Sequence, residues 1–579
     1  MSEPVRLVIW DLDDTFWAGT LAEGPVTQIA ERQETVRTLA RRGIPSAICS
    51  RNDASQVKGE LEAHGLWDYF VFPSINWDPK GPRICALIET AQLRPATVLF
   101  IDDNPSNLEE ARHFCPELQV AGVDFISQML ESPQFAGKED PALTRLRQYQ
   151  ALEQRQTDAQ NAPDGVESFL RQCDIRVTIR YDLAGCLDRI VELVNRTNQL
   201  NFTKRRLPDN AEEARRELAT LLQSHDIQAG LLHVVDRYGD HGDTGFYMLR
   251  NGSELLHFCF SCRILGMGVE SWLYQRLGRP RLAVSGAVLS DPVRDKREID
   301  WIRLADGTSA EQASEPGSRL FDWVAARGGC DLQALSHYFR LGSPQVLGEF
   351  NVGRNGFDAR VDHSVFLRYA IEGFAPEAVE EASRIGYRAE DFRTLLTSPR
   401  EGAGLIILSF WADVSYSLYR HRRLGFTVPF ALSGRANHRE DARSATVEEL
   451  PVELRRGWMA QALGTLQTDY DYVGPIGEAH FKENLGIILR ALPPSAQVVL
   501  LASNARLSDS RSGVTHTSTD NLKLNQWLTD VAPLHPKTQV VDIRDAIASE
   551  AEVLDWSHFD RLVYYRLYQL ICRHCRAPS

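Results

Sequence analysis

The chain has 579 residues, of which 43% are hydrophobic and 25% are charged, and its formal net charge is −14. A chain of this length exceeds what one hydrophobic core supports, so the sequence predicts several domains. The acidic balance argues against a nonspecific nucleic-acid binder, because neutralising phosphates requires clustered Lys and Arg, and no apolar run is long enough to span a bilayer.

The first 135 residues alternate short apolar strands with helical segments. The predicted strands are RLVIW, IPSAIC and ATVLFID, and the predicted helices between them are TVRTLARRG, which ends at Gly43, and SQVKGELEAHG. Short buried strands separated by helices are typical of a parallel α/β sheet. Ligands of such sheets bind at the carboxyl ends of the strands, where the sequence places Asp11, Ser50 and Asp102.

Carboxylates, hydroxyls and two cations follow these strands in a regular order. They are Asp11, Asp13 and Thr15 after the first strand, Ser50 and Arg51 after the second, Lys80 in INWDPKG, and Asp102 and Asp103 after the third. Carboxylates at one sheet edge repel each other unless a divalent cation lies among them, and hard oxygen ligands suit Mg²⁺. The sequence therefore predicts a magnesium site with ligands from Asp11, Asp13, Asp102 and Asp103, and leaves open which of the last two binds directly.

This set resembles the four-part signature of haloacid-dehalogenase-type phosphotransferases. The resemblance implies that Asp11 attacks phosphorus to form an aspartyl-phosphate, and that Asp13 is general acid and base for the leaving oxygen and the incoming water. It also implies a group that binds the phosphoryl oxygens and offsets their charge. The residues assigned to this group are Thr15, Ser50, Arg51 and Lys80. Aspartates that merely cap a strand and a helix are the alternative.

Residues 136–165 are polar and predict a linker helix, and residues 166–310 predict a mixed α/β domain. The predicted order of elements there is strand, turn, strand, a hairpin turn at Asn251-Gly252, a third strand and a helix. Arg263-x-x-Gly266-x-Gly268 lies between the last strand and this helix, and resembles the pyrophosphate loop of GNAT-type acyltransferases. Glycines let the backbone approach a phosphate, and a helix N-terminus favours one. A plain turn into a helix is the alternative.

Longer motifs narrow the resemblance. Seven segments follow one another over roughly residues 5–305: DLDDTFWAGTLAEG, CSRND, INWDPKG, IDDNP, LVNRTNQLNFTKRR, VVDRYGDHGDTGF and SCRILGMGVE. Together they resemble the FkbH-like glyceryl transferase/phosphatases. The resemblance implies that the glyceryl unit of 1,3-bisphosphoglycerate becomes an enzyme thioester, loses its phosphate, and passes to the phosphopantetheine thiol of an acyl carrier protein. Phe16 and Arg51 depart from the family, where Leu and Lys are usual, which leaves the acyl substrate open.

The implied thioester requires a cysteine, and two cysteines lie at predicted strand ends. Cys262 precedes Arg263, where the guanidinium and the helix N-terminus are expected to lower the pKa of the thiol. Cys49 precedes Ser50, beside the phosphoryl site. Cys262 is the favoured nucleophile and Cys49 the second candidate, and for both a buried small hydrophobic residue is the structural alternative.

Residues 331–579 predict a second parallel α/β domain, with GLIILSF, AQVVLLAS and TQVVDI as buried strands. Asp555-x-x-His558 resembles the last block of SGNH hydrolases, in which the His is general base to a serine and the Asp orients it. Asn504 is the candidate oxyanion-hole residue. The first block is expected at QVLGEFNVGRNG, which has no serine, and neither Ser343 nor Ser409 is expected at the nucleophile position. The domain is therefore either a binding fold or an acyl-transfer site in which His558 activates an external nucleophile.

Together the motifs predict an enzyme with a phosphatase domain (1–135), a linker helix (136–165), a GNAT-like domain (166–310) and an SGNH-like domain (331–579). Its predicted reaction transfers a glyceryl-type acyl unit, with dephosphorylation, from a phosphorylated donor to the phosphopantetheine arm of an acyl carrier protein in a natural-product pathway. Mg²⁺ is the predicted cofactor. The alternatives are a stand-alone Mg²⁺-dependent phosphatase or phosphotransferase, and a carrier-protein-binding scaffold with a vestigial site.

The remaining features concern the compartment. The start MSEPVRLVIWDLDD lacks the basic-then-apolar pattern of a signal peptide. The ten cysteines are scattered, which is typical of reduced thiols and not of a disulfide framework. We therefore expect a cytoplasmic protein with no nucleic-acid or membrane partner.

Overall fold

The chain folds around three five-stranded sheets. The structure is a computed structural model, and it describes residues 3–163, 165–224, 226–305, 321–343, 345–354, 357–359, 361–432, 439–449, 457–508 and 514–575. Two of these sheets are entirely parallel and the third is mixed. The protein therefore has the α/β fold class that the sequence predicts.

The first sheet is built from strands that alternate with helices. Its elements are β1 (Leu7–Trp10), α1 (Ala30–Arg41), β2 (Ser46–Ser50), α2 (Ala54–Ala63), β3 (Phe70–Ile75), α3 (Lys80–Thr90), β4 (Val98–Ile101), α4 (Pro105–Phe114), β5 (Gln119–Ala121) and α5 (Ile126–Met129). The strand order is β3-β2-β1-β4-β5, and every pairing is parallel. The central strand β1 is fully buried because both faces are apolar. This position makes its carboxyl end the middle of the sheet edge, where parallel sheets bind ligands.

A long helix, α6 (Thr144–Gln160), joins the first sheet to the second region. Leu146 and Tyr149 of α6 are buried in the apolar core of the first sheet, where the Tyr149 ring meets Phe72 edge-on. At the other end, the Arg155 guanidinium donates to the Leu265 carbonyl at 3.0 Å. The predicted linker helix therefore packs against both of the regions that it joins.

The second region carries the mixed sheet. Its elements are α7 (Gly165–Gln172), β6 (Ile175–Arg180), α8 (Leu187–Arg196), α9 (Ala211–Leu222), β7 (Ile227–Asp236), β8 (Gly239–Arg250), β9 (Glu254–Phe260), α10 (Val269–Arg276) and β10 (Ile302–Leu304). The order is β10-β6-β7-β8-β9, with β10 parallel to β6 and the other pairs antiparallel. Asn251 and Gly252 both have positive φ, 50° and 62°, as the predicted tight hairpin between β8 and β9 requires.

The third region contains the other parallel sheet. Its main elements are β11 (Trp323–Gly328), α11 (Cys330–Gly342), β12 (Gln345–Phe350), α12 (Ser364–Glu372), α13 (Pro376–Ser383), β15 (Gly404–Leu408), α14 (Trp411–Ser415), α15 (Trp458–Asp469), α16 (Glu478–Ala491), β19 (Ala496–Ala502), α17 (Thr519–Val531), β22 (Thr538–Asp542) and α18 (Arg561–His574). The order is β12-β11-β15-β19-β22. Shorter strands form small antiparallel sheets beside it: β13 (Val352–Arg354), β14 (Phe357–Ala359), β16 (Leu418–His421), β17 (Thr427–Pro429), β18 (Tyr470–Gly474), β20 (Arg506–Ser508) and β21 (Thr515–Thr517).

The first strand of this third sheet lies before residue 331, where the sequence places the start of the domain. Strand β11 is completely buried, yet its sequence WVAARG ends in a charge and a glycine and does not read as an apolar run. Arg327 is accommodated because its guanidinium pairs with Glu349 and donates to the Val361 carbonyl. The predicted domain bounds leave 311–330 unassigned; this range contains β11, and residues 306–320 lie outside the described residues.

The second and third sheets share one apolar cluster. It contains Tyr181 and Tyr247 from the second region, and Tyr338 and Tyr564 from the third. The rings of Tyr181 and Tyr338 meet edge-on at 4.9 Å, and Arg561 donates to the carbonyl of Tyr181. The two regions therefore do not have separate cores.

The cysteines include one pair that the sequence analysis did not predict. Cys85 in α3 and Cys115 at the end of α4 form a disulfide, with their Cα atoms 6.2 Å apart. The expectation that the thiols are all reduced is wrong at this pair, because α3 and α4 pack side by side and bring together residues 30 positions apart. Among the helices in the described ranges, none combines the length and apolarity required to cross a membrane.

Candidate active site

Two carboxylates and a lysine meet at the carboxyl edge of the first sheet. Asp11 follows β1 and Asp102 follows β4, its parallel neighbour, so both side chains reach the same edge. Lys80, the first residue of α3, places its Nζ 2.6 Å from Asp11 Oδ1 and 2.7 Å from Asp102 Oδ2. All three side chains are almost completely buried. The ammonium is thus shared between two carboxylates that would otherwise repel each other.

The pKa values reflect this crowding. Burial raises the pKa of Asp11 to about 6, against the lowering effect of the Lys80 charge, and Asp102 adds a second upward contribution. Burial alone would lower the pKa of Lys80, but the two carboxylates outweigh it and the net shift is upward. One lysine therefore does not fully offset the negative charge at this edge.

A third carboxylate completes a set that fits a divalent cation. One oxygen each from Asp11, Asp102 and Asp103 lies within 4.8 Å of the others, and within the described ranges no other group of His, Cys, Asp or Glu meets this criterion. Burial and the neighbouring Asp102 raise the pKa of Asp103. Three hard oxygen donors with a single compensating ammonium match the ligand preference of Mg²⁺. The predicted ligands Asp102 and Asp103 both belong to this set.

Asp13 lies beside this set and is not part of it. Its Oδ1 accepts hydrogen bonds from Trp17 Nε1 at 2.9 Å and from the Leu21 N–H at 3.1 Å. Its Oδ2 accepts from Asn52 Nδ2 at 2.9 Å. These donors fix the carboxylate in one orientation, which suits a proton-transfer group. The metal-ligand role assigned to the Asp13 side chain stays a prediction.

The two hydroxyl residues of the predicted phosphate-binding group are both buried near this edge. Thr15 Oγ1 accepts the Asp103 N–H at 2.9 Å and lies 3.4 Å from Asp11 Oδ2. Ser50 ends β2, the other neighbour of β1, and its Oγ accepts from Asn52 Nδ2 at 3.3 Å. Arg51, in contrast, extends toward α4, where its Nη2 lies 3.7 Å from Glu110 Oε2. The structure therefore brings Thr15 and Ser50 to the site and pairs Arg51 with a helix beside it.

Three residues of the site were missed by the sequence analysis. Asn52 joins Ser50 to Asp13, and its own Oδ1 is buried without a partner. Trp17, which is fully buried, donates to Asp13, and Asn107 Nδ2 donates to both oxygens of Asp102 at 2.9 and 3.1 Å. The signal available for Asn52 was its place in CSRND, two residues after Ser50.

Local helix chemistry holds the ends of these strands in place. Asn104 caps α4 by accepting the Ser106 N–H, with Pro105 in the first turn, so the chain turns sharply after Asp103. Gly81 allows α3 to approach α4: a Cβ at this position would lie 2.5 Å from Phe114 Cδ2 and 3.1 Å from the Glu110 carbonyl oxygen. The close approach positions Lys80, which is the residue before Gly81. Asp14 is a backbone cap, because its Oδ1 accepts the Gly19 N–H.

Cys49 is not exposed to this site. It lies in β2 with no exposed surface and belongs to the apolar cluster beneath the sheet. Burial raises the pKa of its thiol to about 11. Side chains alternate between the two faces of a strand, so Cys49 and Ser50 point in opposite directions. The role of Cys49 as a second candidate nucleophile is therefore not supported by its position.

Cys262 lies in a short 3₁₀ turn after β9 and is partly buried. Its Sγ is 3.1 Å from Gln199 Oε1. Burial raises the pKa of this thiol, so the predicted lowering is wrong. Neither group that was expected to lower the pKa is placed to do so. Helix α10 begins only at Val269, and the Arg263 guanidinium is directed to the His241 carbonyl, to which its Nη1 donates at 2.8 Å.

The loop between Cys262 and α10 has the predicted glycine geometry. Gly266 and Gly268 have φ values of 77° and 79°, a region that favours glycine. Gly268 is the N-cap residue of α10, so the loop opens directly into the helix, as predicted. The assignment of Arg263, Gly266 and Gly268 to a pantetheine phosphate stays a prediction.

The Asp555–His558 pair lies at a cavity in the third region. Asp555 Oδ2 is 2.7 Å from His558 Nδ1. Burial alone would raise the pKa of Asp555, but hydrogen bonds from His558 and from the Ser557 N–H outweigh it and lower this pKa to about 2. His558 lines a cavity of about 240 Å³ at the carboxyl edge of the third sheet. Other lining residues are Gly329, Ser409, Trp411, Tyr416, Ser503 and Asn504.

Two expectations about this cavity need correction. The sequence predicts that the first block of the hydrolase motif, which should carry the serine, begins at the strand that corresponds to β12. The first strand of the sheet is instead β11, and β12 is an edge strand. Ser409, which the sequence does not predict at the nucleophile position, directly follows β15 and lines the cavity with His558. Asn504 also lines it, but its amide is used locally, donating to the Arg506 carbonyl at 2.6 Å and accepting the Arg506 N–H at 3.1 Å. Ser343 lies at the end of α11 and away from the cavity lining, as expected.

No protein-family model matches the chain, and no curated protein matches it. Solved structures similar to part of the chain include the N-terminal part of a Bacteroides fragilis protein containing a phosphatase domain, complexed with Mg. The match has 26% identity, covers 24% of this chain and 40% of that chain, and has a TM-score of 0.19. A Moraxella catarrhalis 3-deoxy-D-manno-octulosonate 8-phosphate phosphatase in complex with magnesium, phosphate and KDO matches at 18% identity, 19% of this chain, 64% of that chain and 0.16.

A cobalt-bound deoxy-D-mannose-octulosonate 8-phosphate phosphatase from Haemophilus influenzae matches at 15% identity, 27% of this chain, 92% of that chain and a TM-score of 0.18. The neighbours thus include phosphatases of the haloacid-dehalogenase superfamily. This chain spans less than two thirds of the B. fragilis and M. catarrhalis chains. At TM-scores this low the similarity carries no argument about function, which rests on the geometry of the site.

Proposed function

We propose that the protein is a Mg²⁺-dependent phosphatase that works through an aspartyl-phosphate on Asp11. The observation that carries this proposal is the buried Asp11–Lys80–Asp102 arrangement with Asp103 beside it. A carboxylate nucleophile needs a positive environment to receive a phosphoryl group, and Lys80 supplies part of it. Asp11, Asp102 and Asp103 would hold the metal, which when bound offsets charge on the phosphoryl oxygens.

The proposed reaction has two steps. In the first, an Asp11 oxygen forms a bond to phosphorus, the bond to the leaving oxygen breaks, and Asp13 gives that oxygen a proton. In the second, Asp13 takes a proton from water, which attacks phosphorus and releases phosphate from Asp11. Trp17 and Asn52 orient the Asp13 carboxylate through their hydrogen bonds in both steps. Ser50, Thr15 and Lys80 are the proposed partners of the phosphoryl oxygens.

The finer proposal concerns the acyl group. We propose that the dephosphorylated substrate is a glyceryl-type acyl unit, carried on Cys262 and delivered to the phosphopantetheine of an acyl carrier protein. Support comes from the motif resemblance, from the partial exposure of Cys262, and from the Gly266–Gly268 turn into α10. The raised pKa of the Cys262 thiol implies that a base or a cationic ligand must help to form the thiolate.

The test combines two readouts on the full chain. Incubation with 1,3-bisphosphoglycerate is expected to give a covalent glyceryl adduct in the intact mass, absent in Cys262→Ser and present in a Cys186→Ser control. An adduct that persists in Cys262→Ser would refute that cysteine assignment. Mg²⁺-dependent phosphate release without any trapped adduct would support the phosphatase alone. Unchanged function after Asp11→Asn would support a non-enzymatic carrier-protein scaffold instead.

A second candidate activity is acyl transfer or hydrolysis in the third region. The observation that favours it is the Asp555–His558 pair at the edge of a 240 Å³ cavity. Asp555 holds His558 by Nδ1, which suits a general base. Hydrolysis of a short p-nitrophenyl ester is expected to fall at least about tenfold in His558→Gln. Equal rates in the variant and the wild type would leave this cavity as a binding site only.

A further inference from the structure

The Cys262 thiol has one hydrogen-bond partner among the described residues, and that partner is a side-chain amide. Cys262 Sγ donates to Gln199 Oε1 at 3.1 Å. The other end of this amide, Nε2, has no partner in the part of the chain that the structure describes. Both side chains are only partly buried, so a ligand can approach them. An N–H donor beside the thiol is thus available to a group that becomes bonded to the sulfur.

Main-chain pairing with the edge strand β9 fixes Gln199 beside the thiol. The Phe260 N–H, at the end of β9, donates to the Leu200 carbonyl at 2.9 Å. An antiparallel bridge joins Asn201 to Cys259, one step further along the same ladder. In this register the chain before Leu200 runs level with the residues that follow β9. Gln199 therefore lies opposite the turn that carries Cys262.

A second segment holds the same stretch from its other side. The Leu289 N–H donates to the Gln199 carbonyl at 3.0 Å, and the Ser285 N–H donates to the Phe202 carbonyl at 2.8 Å. The backbone at Gln199 is therefore held between β9 and residues 285–289. A donor on such a fixed backbone needs little reorganisation when a substrate binds, which is the condition for effective electrostatic stabilisation.

The chemistry of a side-chain amide suits one role at a reacting thiol. A carboxamide is too weakly basic to take the thiol proton, but its N–H can donate to an oxygen that becomes negative. The amide oxygen and nitrogen share one carbon and are about 2.2 Å apart. The sulfur and the oxygen of a thioester also share one carbon. An acyl group bonded to Cys262 Sγ therefore brings its carbonyl oxygen within reach of Gln199 Nε2.

We propose that Gln199 is a catalytic residue of acyl transfer at Cys262, donating from Nε2 to the carbonyl oxygen of the acyl group. This inference rests on the proposed thioester. Cys262 Sγ forms a bond to the carbonyl carbon of the acyl phosphate, and the carbonyl oxygen becomes negative while Nε2 donates to it. The bond from carbon to the phosphate oxygen then breaks, the carbonyl is restored, and the thiol proton leaves with the phosphate. The phosphate is thus the base that the raised pKa of the thiol requires.

Two reactions of the same thiol separate this role from a merely structural one. Acylation by 1,3-bisphosphoglycerate passes through an oxyanion, whereas alkylation by iodoacetamide displaces iodide from a saturated carbon and forms none. On the full chain, intact mass after acid quench gives the rate of glyceryl adduct formation. Mass spectrometry of the peptide that contains Cys262 gives the rate of alkylation.

In Gln199→Ala, the acylation rate should fall about hundredfold or more, and the alkylation rate should stay within about threefold of wild type. Gln199→Met keeps the length of the side chain without its amide, and the same result is expected. It provides the second test if Gln199→Ala fails to fold, which thermal melting checks. Gln228→Ala is the matched control. Gln228 is a buried glutamine of the same sheet that accepts the Gly252 N–H at the opposite end of β9, so acylation should stay within about twofold.

Three outcomes would overturn the proposal, and they are distinguishable. Acylation within about threefold of wild type in a folded Gln199 variant would show that Nε2 does not stabilise the oxyanion. Equal falls in acylation and alkylation would show that Gln199 only shapes the surroundings of the thiol. In both cases the wild-type adduct on Cys262 still supports the proposed function. A wild-type protein that forms no adduct on Cys262 would overturn the thioester and the role of Gln199 together.

Discussion

At the edge of the first sheet, the Lys80 ammonium lies between Asp11 and Asp102. Asp14, three positions after Asp11, has a different role. Asp11 has two close partners in the site, whereas the Asp14 oxygen accepts one backbone N–H from Gly19. The two aspartates are thus a matched pair: the same residue type, three positions apart, with one in the site and the other in a loop.

The first prediction compares this pair. Asp11→Asn removes the nucleophilic carboxylate but keeps its shape, so Mg²⁺-dependent phosphate release should fall at least about 10³-fold. Asp14→Asn keeps an oxygen for the Gly19 N–H and should stay within about twofold of wild type. Steady-state phosphate release measures both. A fall of equal size in the two variants would contradict the assignment of the nucleophile.

The second prediction concerns Asn52. Asn52→Ala removes the donor to Asp13 Oδ2, so Asp13 loses part of its orientation and kcat should fall about tenfold to hundredfold. KM should change less than kcat, because the hydrogen bond from Asn52 to Asp13 is 2.9 Å long whereas its bond to Ser50 is 3.3 Å long. Asn210→Ala is the control, since Asn210 caps α9 and its loss should lower only stability, by about 1 kcal/mol. A kcat unchanged by Asn52→Ala would show that Asp13 is held well enough by Trp17 and Leu21.

Site residues were predictable where position alone decides their role. Asp11, Ser50 and Asp102 follow strands, and parallel strands bring their carboxyl ends together. Asn52 and Trp17 were not predictable in this way, because their contacts with Asp13 depend on the path of two loops. Arg51 shows the same limit in reverse: it is next to Ser50 in sequence, but its long side chain extends to Glu110.

At the scale of elements, the position of Lys80 depends on how closely α3 approaches α4. Gly81→Ala would place a Cβ 2.5 Å from Phe114 Cδ2 and 3.1 Å from the Glu110 carbonyl. Phe114 can move, but the backbone oxygen cannot move without shifting α4. We therefore expect a loss of about 1–3 kcal/mol in unfolding free energy, together with lower phosphatase kcat because Lys80 moves.

Gly59→Ala is the control for this third prediction. Gly59 lies inside α2, and a Cβ there meets no atom within 4 Å. Alanine favours a helix interior over glycine, so this variant should be more stable than wild type by about 0.5–1 kcal/mol. Urea unfolding measures both variants. If Gly81→Ala behaved like Gly59→Ala, the α3–α4 contact would not position Lys80.

The main elements followed from apolar runs and turn residues, and those without such a run were missed. Strand β3 contains a proline and β5 has three half-buried residues, so neither reads as a buried strand. Strand β11 is buried, but Arg327 interrupts its pattern and is tolerated only through contacts with Glu349 and Val361. Long-range partners of this kind cannot be read from local sequence.

At the scale of the whole molecule, the second and third regions share a core, so they should unfold together. Tyr338→Ala removes a buried ring that packs on Tyr181 and whose hydroxyl donates to the Arg561 carbonyl at 3.0 Å. The expected loss is about 3–5 kcal/mol. Hydrogen exchange should increase both in β6 and in α18, since each element contacts this ring cluster.

Leu524→Ala is the control for this fourth prediction. Leu524 is buried in α17 within a different cluster, on the other face of the third sheet. Its loss should increase exchange in α17 and leave β6 unchanged. If Tyr338→Ala affected only α18, the two regions would be independent domains, as the sequence analysis expected from their different patterns.

The proposed mechanism requires that Asp11 becomes phosphorylated during turnover. The most direct measurement is rapid acid quench of the protein with a ³²P-labelled phosphate monoester and Mg²⁺, followed by peptide mapping of the label. We expect a hydroxylamine-sensitive label on the peptide that contains Asp11, absent with EDTA and absent in Asp11→Asn. Label on another peptide, or steady phosphate release with no covalent label at any quench time, would contradict it.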